Sequence, residues 1–193
     1  MRNDEMNCNG FVFSAPRQII FGPGKLNELP KILLDYDRKV LFIGLADFAD
    51  NQRIEGFLNA TKKDWRFFSV QHEPSISSLE KIQSSLGDFV PHLVIAMGGG
   101  STIDTGKVLA ALAANPGELL DYLEVVGGGK SLVNKSIPLI AIPTTAGTGS
   151  EVTRNAVIAV PDRKVKVSLR GPFIQPEIAL IDPELTLSLP QTT

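Results

Sequence analysis

The sequence predicts an α/β fold, a doubly wound parallel sheet with a β-hairpin extension. Short apolar runs of strand length alternate with stretches in which apolar residues recur at helical spacing, the pattern of strands joined by crossover helices. Two stretches rich in glycine and hydroxyl residues each follow an apolar run directly, at the carboxyl ends of strands where open parallel sheets hold ligands. The composition, 43% hydrophobic and 21% charged, is that of a chain able to bury a core and lies far from the signature of disorder.

Taken in order, Lys39–Gly44 (KVLFIG), 66–70 (RFFSV) and 92–97 (HLVIAM) read as strands buried on both faces, because their apolar runs are nearly continuous. Between them, 50–60 places Ile54, Phe57 and Leu58, and 77–87 places Leu79, Ile82 and Leu86, at helical spacing. The order is therefore β-α-β-α-β, with right-handed crossovers. A helix is expected over 102–114, carried by Val108, Leu109, Ala111 and Leu112 and stopped by Asn115, Pro116 and Gly117. A fourth strand follows at 137–142. Asn155–Val160 and 164–169 flank the turn-prone Pro161, Asp162 and Arg163, which predicts a hairpin, and Ile178–Ile181 is one more short strand. The closing stretch from Asp182 shows no cap or closing element and reads as an interrupted chain.

Lysine and arginine number 19 against 21 aspartates and glutamates, a net charge of −2, which argues against a nucleic-acid partner. The one cysteine, Cys8, has no internal partner for a disulfide. No run of 18 apolar residues exists, and the first residues are polar, so no membrane partner is expected and the cytoplasm is the expected compartment. His72 and His92 lie too far apart in sequence for a helical metal pair and read as surface or structural residues.

The sharpest local signal is MGGGSTID at 97–104. Gly98, Gly99 and Gly100 let the chain turn tightly from a strand into a helix whose N-terminal N–H groups suit a phosphate or pyrophosphate, with Ser101 and Asp104 beside them. The plainer reading is a helix capped by Ser101 and Asp104 in an S-x-x-D box. The G-x-G-x-x-G fingerprint fails, since its last glycine falls at Ile103, and the phosphate-loop pattern fails at Glu124. The second signal, PTTAGTGSEVT at 143–153, offers the hydroxyls of Thr144, Thr145, Thr148, Ser150 and Thr153 around Gly147 and Gly149. Its plainer reading is a loop ending in a Thr148–Glu151 capping box. Two such loops at adjacent strand ends point to a nucleotide site across them. Ser150 lacks the G-x-S-x-G setting of an esterase nucleophile.

These motifs, with FGPGKL at 21–26, EPS at 73–75, DFVPHLVIAMGGGSTIDTGKVLA at 88–110, IPTTAGTGSEVTRNAVI at 142–158 and IALIDPELTLSLP at 178–190, resemble the N-terminal half of an iron-containing (group III) alcohol dehydrogenase. The resemblance implies a tail at 1–12, a Rossmann-like NAD(P)-binding domain at 13–185, and at 186–193 the start of a linker to an all-helical metal domain absent from this chain. It implies that Gly98, Gly99, Gly100 and Ser101 hold the pyrophosphate of NAD or NADP with Asp104 nearby. Thr144, Thr145, Thr148 and Thr153 would line the cofactor cleft, Asn155 would face the nicotinamide and substrate side, and Lys166 would contact a ribose. The implied activity is reversible hydride transfer between an alcohol and an aldehyde, assisted by divalent iron or another divalent metal whose ligands lie in the missing half. This chain alone is then expected to bind NAD(P) weakly without turnover, and the full-length enzyme to form homo-oligomers. Related readings are a maleylacetate reductase or a relative of glycerol dehydrogenase, and, outside enzymes, a truncated non-catalytic nucleotide-binding module. Where NAD-preferring relatives carry an acidic residue after the first strand of the fold, this chain reads Gly44, Leu45, Ala46, Asp47, which leaves NAD and NADP both open.

Overall fold

The computed structural model describes residues 10–46 and 48–187. Cys8, Asp47 and residues 188–193, and with them most of the expected tail and linker, lie outside the described residues. The elements are β1 (Gln18–Phe21), α1 (Leu29–Leu33), β2 (Lys39–Gly44), α2 (Asn51–Ala60), β3 (Asp64–Ser69), α3 (Ile76–Leu86), β4 (Leu93–Gly98), α4 (Gly100–Ala114), α5 (Leu119–Tyr122), β5 (Leu139–Pro143), β6 (Asn155–Val160), β7 (Val165–Arg170) and β8 (Ile178–Ile181). Six strands form one sheet in the order β1-β8-β5-β4-β2-β3, and every pairing in it is parallel. The remaining two, β6 and β7, form a separate antiparallel hairpin.

Side chains alternate across the sheet and feed two cores. On one face Leu41, Ile43, Val94, Ala96, Leu139 and Ala141 pack with α3, α4 and the inner face of the hairpin. On the other, Val40, Phe42, Leu93, Ile95, Ile140 and Ile142 pack with Leu29 and Leu33 of α1 and Ile54 and Leu58 of α2. β2, β4 and β5 are buried almost throughout, as expected of central parallel strands. β3 is not: it is an edge strand with alternating exposure, and its aromatic residues rather than two-sided burial gave the run its apolar look.

The helix α4 is enclosed from Thr102 to Leu112: its second half is apolar on all sides, whereas its first half buries the polar side chains of Thr102, Asp104, Thr105 and Lys107. It approaches β4 closely, since a Cβ on Gly106 would stand 2.7 Å from the Cβ of Ala96. Among the elements that escaped the sequence reading are β1, the turn of Lys25–Glu28 running into α1, and α5, because each spans only four or five residues and carries no resolvable period. The expectation that nothing closes the chain after β8 is also corrected. Asp182, 1% exposed, accepts hydrogen bonds from the N–H groups of Gly24 (3.1 Å), Leu26 (3.0 Å) and Glu184 (3.1 Å), so it caps the turn at Pro183–Thr186 and ties it to the turn after β1. No described helix is long and apolar enough to cross a membrane.

Candidate functional site

β4 runs into Gly98, and α4 begins two residues later at Gly100, earlier than the sequence suggested. The N-cap is Gly99, in extended conformation and with no side chain to cap the helix. The Ser101–Asp104 capping box is therefore not formed. The first N–H groups of a 15-residue helix are left open at the sheet's carboxyl edge, where they and the helix dipole favour an anion.

The threonine loop lies beside this turn because β5 pairs with β4 in register, Gly98 opposite Pro143, and the Thr144 N–H donates to the Gly98 carbonyl at 3.0 Å. Gly99 faces Thr145, whose Oγ1 would stand 3.4 Å from an added Cβ, and Gly100 faces Ser150 and Thr148 at 3.4 and 3.5 Å. Three hydroxyl oxygens around the turn, those of Thr102, Thr144 and Thr145, are buried without a hydrogen-bond partner among the described residues. The Thr148–Glu151 capping box, the plainer reading of this loop, is also absent. A short 3-10 turn, Ser150–Val152, follows Gly149 instead, which adopts the left-handed conformation (φ +65°) that glycine tolerates.

The third wall is the hairpin. A cleft of about 410 Å³ lies between the glycine turn and the hairpin, lined by Gly100, Ser101 and Asp104 from α4, Val157 and Lys166 from the hairpin, and Glu73, Pro74 and Thr148. Lys166 Nζ donates to Glu73 Oε1 at 2.6 Å across its mouth, and both side chains remain substantially exposed. Below them lies a polar cluster. Lys107, fully buried on α4, donates to the Asn155 carbonyl (2.7 Å) and to Thr153 Oγ1 (3.0 Å), with Asp104 Oδ1 at 3.5 Å. Asp104 Oδ2 accepts from the Val157 N–H at 2.9 Å. Burial pushes the Lys107 ammonium below the usual lysine range, and the carboxylate of Asp104 opposes that shift.

The structure thus brings Gly100, Ser101, Asp104, Thr148 and Lys166 to one cleft, with Gly98, Gly99, Thr144 and Thr145 forming the turn and loop behind it. Thr153 and Asn155 sit at the entry to β6. The Thr153 hydroxyl and the Asn155 backbone carbonyl serve Lys107, and Asn155 Oδ1 accepts from Arg170 Nε at 3.3 Å. The residue-by-residue reading passed over Lys107 and Glu73. The signal for Lys107 was available, as the one basic residue in an otherwise apolar helical stretch, three residues after Asp104. His72 and His92 are exposed, and among the described residues no three His, Cys, Asp or Glu side chains come together as a metal site.

The sequence profile of iron-containing alcohol dehydrogenases matches residues 16–183. The chain belongs to the iron-containing alcohol dehydrogenase family. Among its relatives in that family is the choline dehydrogenase of Bacillus subtilis, 48% identical over 193 residues, with 92% of this chain and 45% of the relative covered. Among solved structures, the iron-containing alcohol dehydrogenase of Thermococcus thioreducens superposes with a TM-score of 0.82 at 28% identity, covering 93% of this chain and 48% of that one. The sulfoacetaldehyde reductase of Bifidobacterium kashiwanohense, solved in complex with NAD+, gives 0.81 at 28% identity, covering 94% and 49%. The match falls on the N-terminal half of the family fold, the Rossmann-like α/β part, and the chain spans no more than about half the length of these relatives.

Proposed function

We propose that these residues form the NAD(P)-binding half of a metal-dependent alcohol dehydrogenase that interconverts small alcohols and aldehydes. The observation that carries this reading is the uncapped N-terminus of α4 at Gly99 and Gly100, set against a threonine loop at the neighbouring strand end. That arrangement fits a dinucleotide. Open N–H groups receive its pyrophosphate, unpartnered threonine hydroxyls stand behind them, and the absence of side chains at Gly99 and Gly100 leaves the space that a Cβ would fill.

The backbone N–H groups of Gly100 and Ser101 hold the pyrophosphate, and Gly98 allows the turn that aims them. Thr144, Thr145 and Thr148 line the adjoining wall. Asp104 and Thr153 act there by fixing the walls, since their oxygens are engaged with Lys107 and Val157. Lys166, paired to Glu73 across the mouth, donates to a ribose hydroxyl, and Asn155 borders the nicotinamide side. When bound, the dinucleotide would supply the hydride acceptor or donor, and a divalent metal, iron in the family's name, would supply Lewis-acid polarisation of the alcohol oxygen. The described residues supply binding and orientation, and we assign the metal ligands to a helical region outside them. The full-length enzyme acts in the cytoplasm as a homo-oligomer. Either NAD or NADP fits the residues at the end of β2, where Leu45 stands.

Titration of the 193-residue chain with NADH and NADPH, followed by calorimetry and by nicotinamide fluorescence, tests the reading. Saturable 1:1 binding of at least one of them, with no alcohol-dependent reduction of NAD+ or NADP+, is expected. No binding of either at millimolar concentration would refute it.

A further inference from the structure

We propose that Lys107 is a positioning residue: with Asp104 it locks the β6–β7 hairpin against α4 and thereby sets the width and shape of the dinucleotide cleft. The inference deepens the nucleotide-site reading and rests on it for its ligand, though not for its structural content.

Neither strand of the hairpin pairs with the six-stranded sheet, so strand ladders do not fix where the hairpin sits. Its inner face, Ala156, Ile158, Val160, Val167 and Leu169, is buried in the core. Apolar burial is non-directional and tolerates sliding along α4. Direction comes from polar contacts. On one side the Ala159 N–H donates to the Pro74 carbonyl at 2.8 Å. On the other, two α4 side chains one turn apart reach three consecutive alternate residues: Lys107 to Thr153 and to the Asn155 carbonyl, and Asp104 to the Val157 N–H.

Such a pair is an expensive way to hold two elements together. Lys107 is fully buried and Asp104 is only 6% exposed, so both charges are largely desolvated, and well-packed apolar residues of similar volume would stabilise as well or better. What the pair adds is a single allowed position. That position matters because α4 and the hairpin are opposite walls of one cleft: Gly100, Ser101 and Asp104 on one side, Val157 and Lys166 on the other. The residue that fixes one wall to the other fixes Lys166 and Asn155 relative to the glycine turn.

The test uses the 193-residue chain with Lys107→Met and with the double substitution Asp104→Asn/Lys107→Met, which removes both charges and keeps a foldable variant should the single one leave a destabilising lone carboxylate. Amide hydrogen exchange is expected to accelerate about tenfold or more over 155–170, the loss of a charge-assisted hydrogen bond, while β2 and β4 keep their protection. ADP, which needs only the glycine turn, is expected to bind Lys107→Met, a position outside the cleft lining, within about threefold of wild type. NADH, which spans both walls, is expected to lose about tenfold or more in affinity together with its fluorescence enhancement. Unchanged hairpin exchange in a folded variant, a uniform acceleration over the whole chain, or an equal loss of ADP and NADH would overturn the proposal. If the wild-type chain binds neither probe, the nucleotide reading fails, and the exchange profile alone decides whether Lys107 positions the hairpin.

Discussion

Placing a methyl group at Gly98 separates the structural from the ligand-facing glycines of the turn. A Cβ there would stand 2.4 Å from Thr102 Oγ1, 2.7 Å from Thr102 Cβ and 3.0 Å from Thr102 Cγ2. Thr102 cannot swing aside, because it is β-branched, 1% exposed and held in the first turn of α4. The backbone must move instead. Overpacking of this kind costs about 1–3 kcal/mol, and three close contacts with one rigid partner argue for the upper half of that range. For a chain of this size each kcal/mol lowers Tm by about 2–4 °C, so Gly98→Ala should lower it by roughly 4–12 °C. Gly100→Ala behaves differently. Its nearest neighbours, Ser150 Oγ at 3.4 Å and Thr148 Cβ at 3.5 Å, are close to ordinary contact, so Tm should stay within about 2 °C. The methyl group nevertheless enters the space between α4 and the threonine loop, and NADH affinity should fall about tenfold or more. Adding Thr102→Ala to Gly98→Ala removes two of the three contacts and should recover part of the lost Tm. Thermal unfolding by circular dichroism and NADH titration read both effects. A Gly98→Ala chain as stable as wild type, or a Gly100→Ala chain that binds NADH unchanged, would refute the assignment of these glycines.

Three further outcomes follow from other parts of the molecule. Asp182→Ala leaves the N–H groups of Gly24, Leu26 and Glu184 without their acceptor and should cost about 3 kcal/mol in urea unfolding, whereas a loss below about 1 kcal/mol would show that solvent replaces these bonds. Tyr36 donates to Glu177 Oε1 at 3.0 Å, and burial pushes its hydroxyl up from 10 to about 12, with the Glu177 carboxylate adding to the shift and Arg17 opposing it. The unfolded chain then releases this proton first as pH rises, so stability is full below pH 10 and is lost between pH 10 and about 12. Because the half-exposed ring is screened by solvent, the loss should be about 1 kcal/mol, and Tyr36→Phe should flatten that limb of the pH profile. At the end of β2, Leu45→Asp should shift the NADH-to-NADPH affinity ratio toward NADH by about tenfold, by repulsion of the 2′-phosphate; an unchanged ratio would place the adenosine ribose elsewhere.

The central sheet was legible because β2, β4 and β5 are buried on both faces, and burial of that kind leaves an unbroken apolar run in the sequence. β1 was not, since an edge strand of four residues, three of them exposed, carries neither a run nor a period. β3 was legible for a reason that proved incomplete: Phe67 and Phe68 made it look central, while the sheet places it at an edge with its polar residues turned to solvent. Strand order was beyond reach, because the pairing of β8 with both β1 and β5 joins segments far apart in the chain.

At the site, both glycine clusters could be found from sequence, and neither of the plainer readings offered there, the capping boxes at Ser101–Asp104 and Thr148–Glu151, is formed. A capping pattern is local, and it assumes that the side chain at its third position has nothing better to do than reach back to its own helix. Asp104 does have something better. One of its oxygens meets the Lys107 ammonium one turn further along α4, and the other accepts from the Val157 N–H, a group that arrives only when the chain returns some fifty residues later. Ser101, released from capping, stays at the cleft with its backbone N–H unspent, and the Thr148–Glu151 pattern gives way to a short turn after a left-handed Gly149. On the proposed reading the missing Ser101–Asp104 cap has a use: a helix that satisfied its own first N–H groups would have none to offer a pyrophosphate.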